Sequence, residues 1–168
     1  GKQTDFRRAV APKPRASSYY NRLVPPALPP FAIGPSGWHY AHWRGDFLQA
    51  DLPTAEQVRF YAPRFDTVDL NNIFYQLPKT SAWNLWREGT PRGFCFAVKA
   101  SRYITHMLKL RNIEAPLANF FASGLLALGH KLGPILWQFP PRFVFDPEKL
   151  DAFFSLLPRT ALDAADLA

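Results

Sequence analysis

Apolar positions along the chain collect into four short runs, each ending in small or polar residues: Phe31-Ala32-Ile33-Gly34-Pro35-Ser36-Gly37-Trp38, Thr67-Val68-Asp69-Leu70-Asn71-Asn72, Phe94-Cys95-Phe96-Ala97-Val98-Lys99 and Pro134-Ile135-Leu136-Trp137-Gln138-Phe139. Each run has the length of a buried strand, and an amphipathic helical stretch separates it from the next. That order predicts a parallel sheet built from βα units. Read with a period of two, one set of positions is bulky (Phe31, Ile33; Val68, Leu70; Phe94, Phe96, Val98; Ile135, Trp137, Phe139) and the other small or polar (Ala32, Gly34, Ser36; Asp69, Asn71; Cys95, Ala97, Lys99; Leu136, Gln138). A flat sheet covered on both sides would read more uniformly apolar. The alternation therefore predicts bulky faces against covering helices and small, polar-tipped faces turned into a barrel. The predicted fold is α/β, half of a TIM-type (β/α)₈ barrel with four βα units and parallel strands. In such barrels the site lies at the carboxyl ends of the strands.

The intervening stretches carry helix signals. Thr54 with Gln57 three residues on reads as a capping box, and Val58, Tyr61, Ala62 and Phe65 mark a buried face that Pro63 should end or kink. Ser81 to Glu88 is the second helix, stopped at Gly89, with Trp83 and Trp86 as core residues on one face. Glu114-Ala115-Pro116 opens the third, whose inner face is Leu117, Phe121, Leu125, Leu128 and Leu132, with Gly133 as its cap. Asp146-Pro147-Glu148 opens the fourth, which buries Leu150, Phe153, Phe154 and Leu157 before Pro158 stops it. Two excursions, Gly37 to Gly45 and Ser101 to Arg111, are longer than ordinary βα turns, as loops that carry contacts often are.

Composition changes this picture at its beginning. Of 168 residues, the first 30 contain seven prolines or glycines, no periodic apolar face and the stretch Pro25-Pro26-Ala27-Leu28-Pro29-Pro30. They read as a disordered, extended arm. The half-barrel then occupies 31–158, and 159–168 is a tail. Lys2, Arg7, Arg8, Lys13, Arg15 and Arg22 against Asp5 put +5 of the net +7 into that arm. A basic arm of this kind fits phosphate backbones without sequence specificity, so a nucleic-acid-binding module using arm and aromatic residues is the alternative functional reading; a solubilising tail explains the same charge. The single cysteine, Cys95, forms no internal disulfide. No apolar stretch reaches membrane-spanning length, and the arm lacks the apolar core of a signal peptide, so a cytoplasmic location without membrane association is expected.

Candidate chemistry follows from the strand ends. Ser36, Asp69, Asn71, Lys99 and Gln138 share the inward face and converge if the strands surround one axis. Asp69 and Lys99 are the catalytic candidates: Asp69 as a general base, or as a partner holding Lys99 in a charge pair. Lys99, Arg102 and His106 suit a small anionic ligand such as a phosphate. Trp38 and Tyr75, with Tyr40, Trp43 and Phe74, surround the same mouth and can stack on a base or a sugar, and Asn72 is a further ligand-binding candidate. A barrel interior whose polar groups satisfy one another accounts for the same residues without a ligand. His39, His42 and Asp46 have no specific metal spacing, and Cys95 reads as a buried structural thiol. With no glycine-rich phosphate loop, Gly-x-Ser-x-Gly elbow or His-Glu-x-x-His, no cofactor or metal is expected.

Four ordered motifs carry a family resemblance: Gly34-Pro35-Ser36-Gly37-Trp38 with Trp43-Arg44-Gly45; Thr67 through Pro78; Phe94 to Ala100 with Ile104-Thr105-His106; and Gln138-Phe139-Pro140-Pro141-Arg142-Phe143. Over residues 31 to about 157 the chain resembles the YecE-like proteins, domain of unknown function 72. The resemblance implies a TIM-type barrel and brings no established activity. Pro35 stands where the family favours threonine, Asp69 where it favours glutamate and Ile73 where it favours threonine. The resemblance covers the family's N-terminal half, which implies an incomplete pocket, little activity of this part alone, and self-association through open sheet edges.

Overall fold

Three of the four apolar runs pair in a computed structural model, which describes residues 31–168. β1 (Thr67–Leu70), β2 (Cys95–Lys99) and β3 (Leu132–Leu136) form one parallel sheet in the order β1-β2-β3. Thr67 is opposite Cys95 and Asp69 opposite Ala97, while Lys99 meets Leu136 across a register shift between Phe96 and Val98. Among the described residues five α-helices accompany the sheet: α1 (Thr54–Tyr61), α2 (Thr80–Glu88), α3 (Glu114–Ala122), α4 (Pro147–Leu156) and α5 (Ala161–Leu167). The alternation at β1 and β2 is as expected, with Val68, Leu70, Phe96 and Val98 buried and Asp69, Ala97 and Lys99 half-buried on the other face. The arm assigned to residues 1–30, and with it the nucleic-acid reading, lies outside the described residues. None of the described helices is long and apolar enough to cross a membrane.

The first run is not a strand, so among the described residues the sheet has three strands where four were expected. It runs beside β1 and accepts two backbone hydrogen bonds, from Asp66 N–H to the Ile33 carbonyl (3.3 Å) and from Asp69 N–H to the Pro35 carbonyl (3.2 Å). Pro35 has no N–H to return, and Gly37 turns the chain away with φ +103°, so no ladder develops. Phe31 and Ile33, expected to meet a helix, are instead 81% and 72% exposed.

Further differences are local and have local causes. Pro53, not Thr54, occupies the N-cap of α1 and no side chain caps that end, because Gln57 is buried and hydrogen-bonded to His39. The single long helix expected after Glu114 breaks at Gly124 (φ +105°), and residues Leu125–Lys131 continue as a 3₁₀ turn interrupted at Gly129 (φ +57°). β3 consequently begins at Leu132, two residues earlier than the apolar run suggested. In the segment expected as a tail, Thr160 and Asp163 make a reciprocal capping box that starts α5.

Lys131 was not singled out from sequence, yet it is buried. Its ammonium donates to the carbonyls of Arg87 (2.5 Å) and Thr90 (2.6 Å) and to Thr90 Oγ1 (3.0 Å), closing the C-terminal end of α2 where a cation is favoured. Burial, then the nearby Arg87 guanidinium, pull its pKa below the usual lysine value. Replacing Lys131 with Met strips those carbonyls of their donor, with an expected cost of about 2 kcal/mol by urea denaturation.

Candidate functional site

The bonds to Ile33 and Pro35 hold residues 31–38 against the carboxyl end of β1, and a cleft of about 380 Å³ opens between this segment and the residues that follow β1. Ser36, Trp38 and Tyr40 line one side, Asp69, Asn71, Asn72 and Tyr75 the other. Ser36 Oγ donates to Asp69 Oδ2 at 3.1 Å, and the Tyr40 hydroxyl donates to the Ser36 carbonyl. Trp38 is buried edge-on against Trp86, with centroids 5.4 Å apart, so it forms the floor and is not an open stacking platform. Tyr75, 68% exposed, is the accessible ring. Asp69 Oδ1 and Asn71 Oδ1 are enclosed and have no hydrogen-bond donor.

Beyond Tyr75 lies a group of cations. After β1 the chain turns through a 3₁₀ segment (Asn71–Phe74) that buries Ile73 and Phe74. The Lys99 ammonium sits 4.4 Å from the centre of the Phe74 ring, and the Arg102 guanidinium 5.7 Å from that of Tyr75, both within cation–π range. His106 meets Phe74 edge-on at 4.9 Å. Thr105, fully buried, shares a 2.9 Å hydrogen bond with His106 Nδ1 and so fixes the ring. Partial burial, then the charges of Arg102 and Lys99, hold the His106 pKa below its ordinary value.

The backbone carrying these groups is unusual. Residues Tyr103–Met107 form a π-helical turn, and Lys109, Leu110 and Asn112 follow with φ of 50°, 64° and 51°. Left-handed non-glycine residues are costly, and both features concentrate at functional sites.

Of the residues singled out from sequence, Ser36, Trp38, Asp69, Asn71, Asn72 and Tyr75 line one cleft, and Lys99, Arg102 and His106 gather beside it. Asp69 and Lys99 share a face of the sheet but form no ion pair, so the charge pair weighed for them is absent. Gln138 is exposed, two residues past β3, and is not part of the cleft lining. His39 and Phe74 matter more than the sequence reading implied: His39 lines the cleft with its Nδ1 2.7 Å from Gln57 Oε1, and Phe74 is the ring under the cations. Among the described residues no three His, Cys, Asp or Glu side chains come together as a metal set. Burial pushes the Cys95 thiol pKa up.

Fold and site thus define an α/β domain with a cleft at the carboxyl end of a parallel strand. The chain belongs to the family described as "Protein of unknown function DUF72", whose profile matches residues 32–165. It is 29% identical over 125 residues to UPF0759 protein YecE of Escherichia coli (strain K12), and equally to the protein of that name in strain O157:H7; each match covers 74% of this chain and 42% of the relative. The chain therefore spans less than half the length of the curated relatives it matches. Two crystal structures of a DUF72 family protein from Enterococcus faecalis V583 share its fold. One has 21% identity and a TM-score of 0.50, covering 59% of this chain and 38% of that one. The other has 20% identity and a TM-score of 0.51, covering 61% and 43%.

Proposed function

We propose that this domain binds a small phosphorylated or nucleotide-like ligand at the end of β1, with the anionic group on the ledge formed by Lys99, Arg102 and His106. The observation carrying this reading is the charge balance: the ion pairs among the described residues are Arg59–Glu56, Arg87–Glu88 and Lys149–Asp146, none of which engages Lys99 or Arg102. Two cations resting on aromatic rings, without a carboxylate partner, keep their charge for an incoming anion. In this reading Lys99 is the principal anion contact, Asp69 is the basic group of the cleft, and the architecture is one part of a TIM-type barrel.

Sulfate tests the ledge, because its charge is constant across the neutral range. Lys99→Met is expected to weaken sulfate binding at least tenfold by isothermal titration calorimetry. A wild-type protein that binds neither sulfate nor phosphate overturns the reading.

The His106 shift fixes a pH dependence. In the folded protein the imidazole charges only below its lowered pKa, whereas a bound anion favours the charged form and raises that pKa. Sulfate binding is then coupled to proton uptake, and affinity should rise as pH falls from 7.5 to 5.5. Stability without ligand runs in the opposite direction. The unfolded chain binds the proton first, so the His106 contribution is fully present above the unfolded value of about 6.5 and is lost as pH falls through the lowered folded value. In His106→Gln the pH slope of sulfate affinity should flatten.

A further inference from the structure

The cleft and the ledge differ in chemistry, and the difference specifies what lies behind the anionic group. No lysine or arginine lines the cleft. Its one acidic side chain is Asp69, and its histidine, His39, is engaged with Gln57 Oε1, so the lysine and arginine that suit a phosphate lie outside it and the uncharged part of a ligand fits within. That wall is short of donors. Asp69 receives one hydrogen bond, from Ser36, while Asp69 Oδ1 and Asn71 Oδ1 receive none, and enclosed acceptors without donors call for an explanation. Both side chains belong to the cleft lining. Tyr75, on the same side, offers a flat apolar ring, with Tyr40 across the opening.

We infer that the cleft is built for a sugar phosphate, with neighbouring hydroxyls of the sugar donating to Asp69 and Asn71, the ring against Tyr75, and the phosphate on Lys99 and Arg102. Two adjacent hydroxyls provide two donors with the spacing of neighbouring acceptors, and the C–H face of a sugar ring suits an aromatic side chain. Tyr75 joins the two halves: it lines the cleft on one side and lies under the Arg102 guanidinium on the other. This inference rests on the anion reading of the ledge and adds the chemical class of the ligand.

The test is a calorimetric series on the whole chain with inorganic phosphate, ribose 5-phosphate, 2-deoxyribose 5-phosphate and adenosine monophosphate, in EDTA. Ribose 5-phosphate is expected to bind at least tenfold more tightly than phosphate and at least fivefold more tightly than its deoxy analogue. Asp69→Asn, which retains size and one acceptor, should remove most of the advantage over phosphate, read as the ratio of the two affinities in the same variant. Equal affinity for phosphate and ribose 5-phosphate overturns the sugar assignment and leaves the anion ledge standing; failure of every anion removes both. An advantage confined to adenosine monophosphate assigns the cleft to a base. One that survives Asp69→Asn, or that needs a divalent cation restored, also overturns the inference, since the starved oxygens would then not be served by hydroxyls.

Discussion

Gly34→Ala is expected to lower stability by about 3 kcal/mol and to abolish ligand binding in the same variant. A Cβ at position 34 would lie 1.8 Å from the Thr67 carbonyl oxygen and 3.0 Å from the Tyr61 hydroxyl. The first of these is backbone of β1, and that oxygen already accepts the Tyr61 hydroxyl at 2.7 Å, so it has little freedom to retreat. Relief requires residues 31–38 to lift from β1, breaking the bonds at Ile33 and Pro35 and moving Ser36 away from Asp69. Stability and the cleft wall are thus lost together, although no side chain that touches ligand has changed. Gly93→Ala is the control: its added Cβ meets nothing within 4 Å and its backbone is unstrained, so urea midpoint and binding should match wild type. A Gly34→Ala protein with wild-type midpoint and sulfate affinity would show that the segment does not pack on β1.

The same glycine explains where sequence reading succeeds and where it stops. Period-two alternation identifies β1 and β2 because burial on one face is a local, repeated demand, met by Val68, Leu70, Phe96 and Val98. It misreads residues 31–38, because Pro35 and Gly34 obey the alternation while denying the hydrogen bonds and bulk of a strand. Capping is similar. Thr54 with Gln57 has the right spacing, but Gln57 is taken by His39, a partner 18 positions away that no local pattern reveals. Asp69, Asn71 and Asn72 were legible because they lie at the end of β1. The ledge was legible only as a list of cations. What organises it is Phe74: an Asn-Asn-Ile-Phe-Tyr turn reads as core packing, and only the fold sets Lys99 over that ring. Lys131 carried no signal at all, since a lysine beside a glycine-rich turn reads as surface.

Trp83→Ala carries the largest expected loss, roughly 3–5 kcal/mol, which is a large part of the 5–15 kcal/mol available to a domain of this size. Trp83 is fully buried, packs edge-on against Trp86 at 5.3 Å, and donates its indole N–H to the Ser123 carbonyl at 2.9 Å. That bond fastens α2 to the break after α3, where Gly124 (φ +105°) brings its backbone so close that a Cβ there would lie 2.7 Å from Trp83 Cδ1. Alanine therefore opens a cavity, leaves the half-buried Ser123 carbonyl without its donor and loosens the turn that leads to β3. Trp83→Phe separates these contributions: it keeps most of the volume but loses the N–H, and should cost about 1–2 kcal/mol by urea denaturation. The consequence reaches the site by a physical route, since Trp83 supports Trp86 and Trp86 supports Trp38, the cleft floor. Sugar-phosphate affinity should fall in the folded fraction of Trp83→Ala while sulfate affinity stays, because Lys99 stands on β2 over Phe74 and not on this aromatic series. Equal loss of both ligands would mean that ledge and cleft respond to the core as one unit.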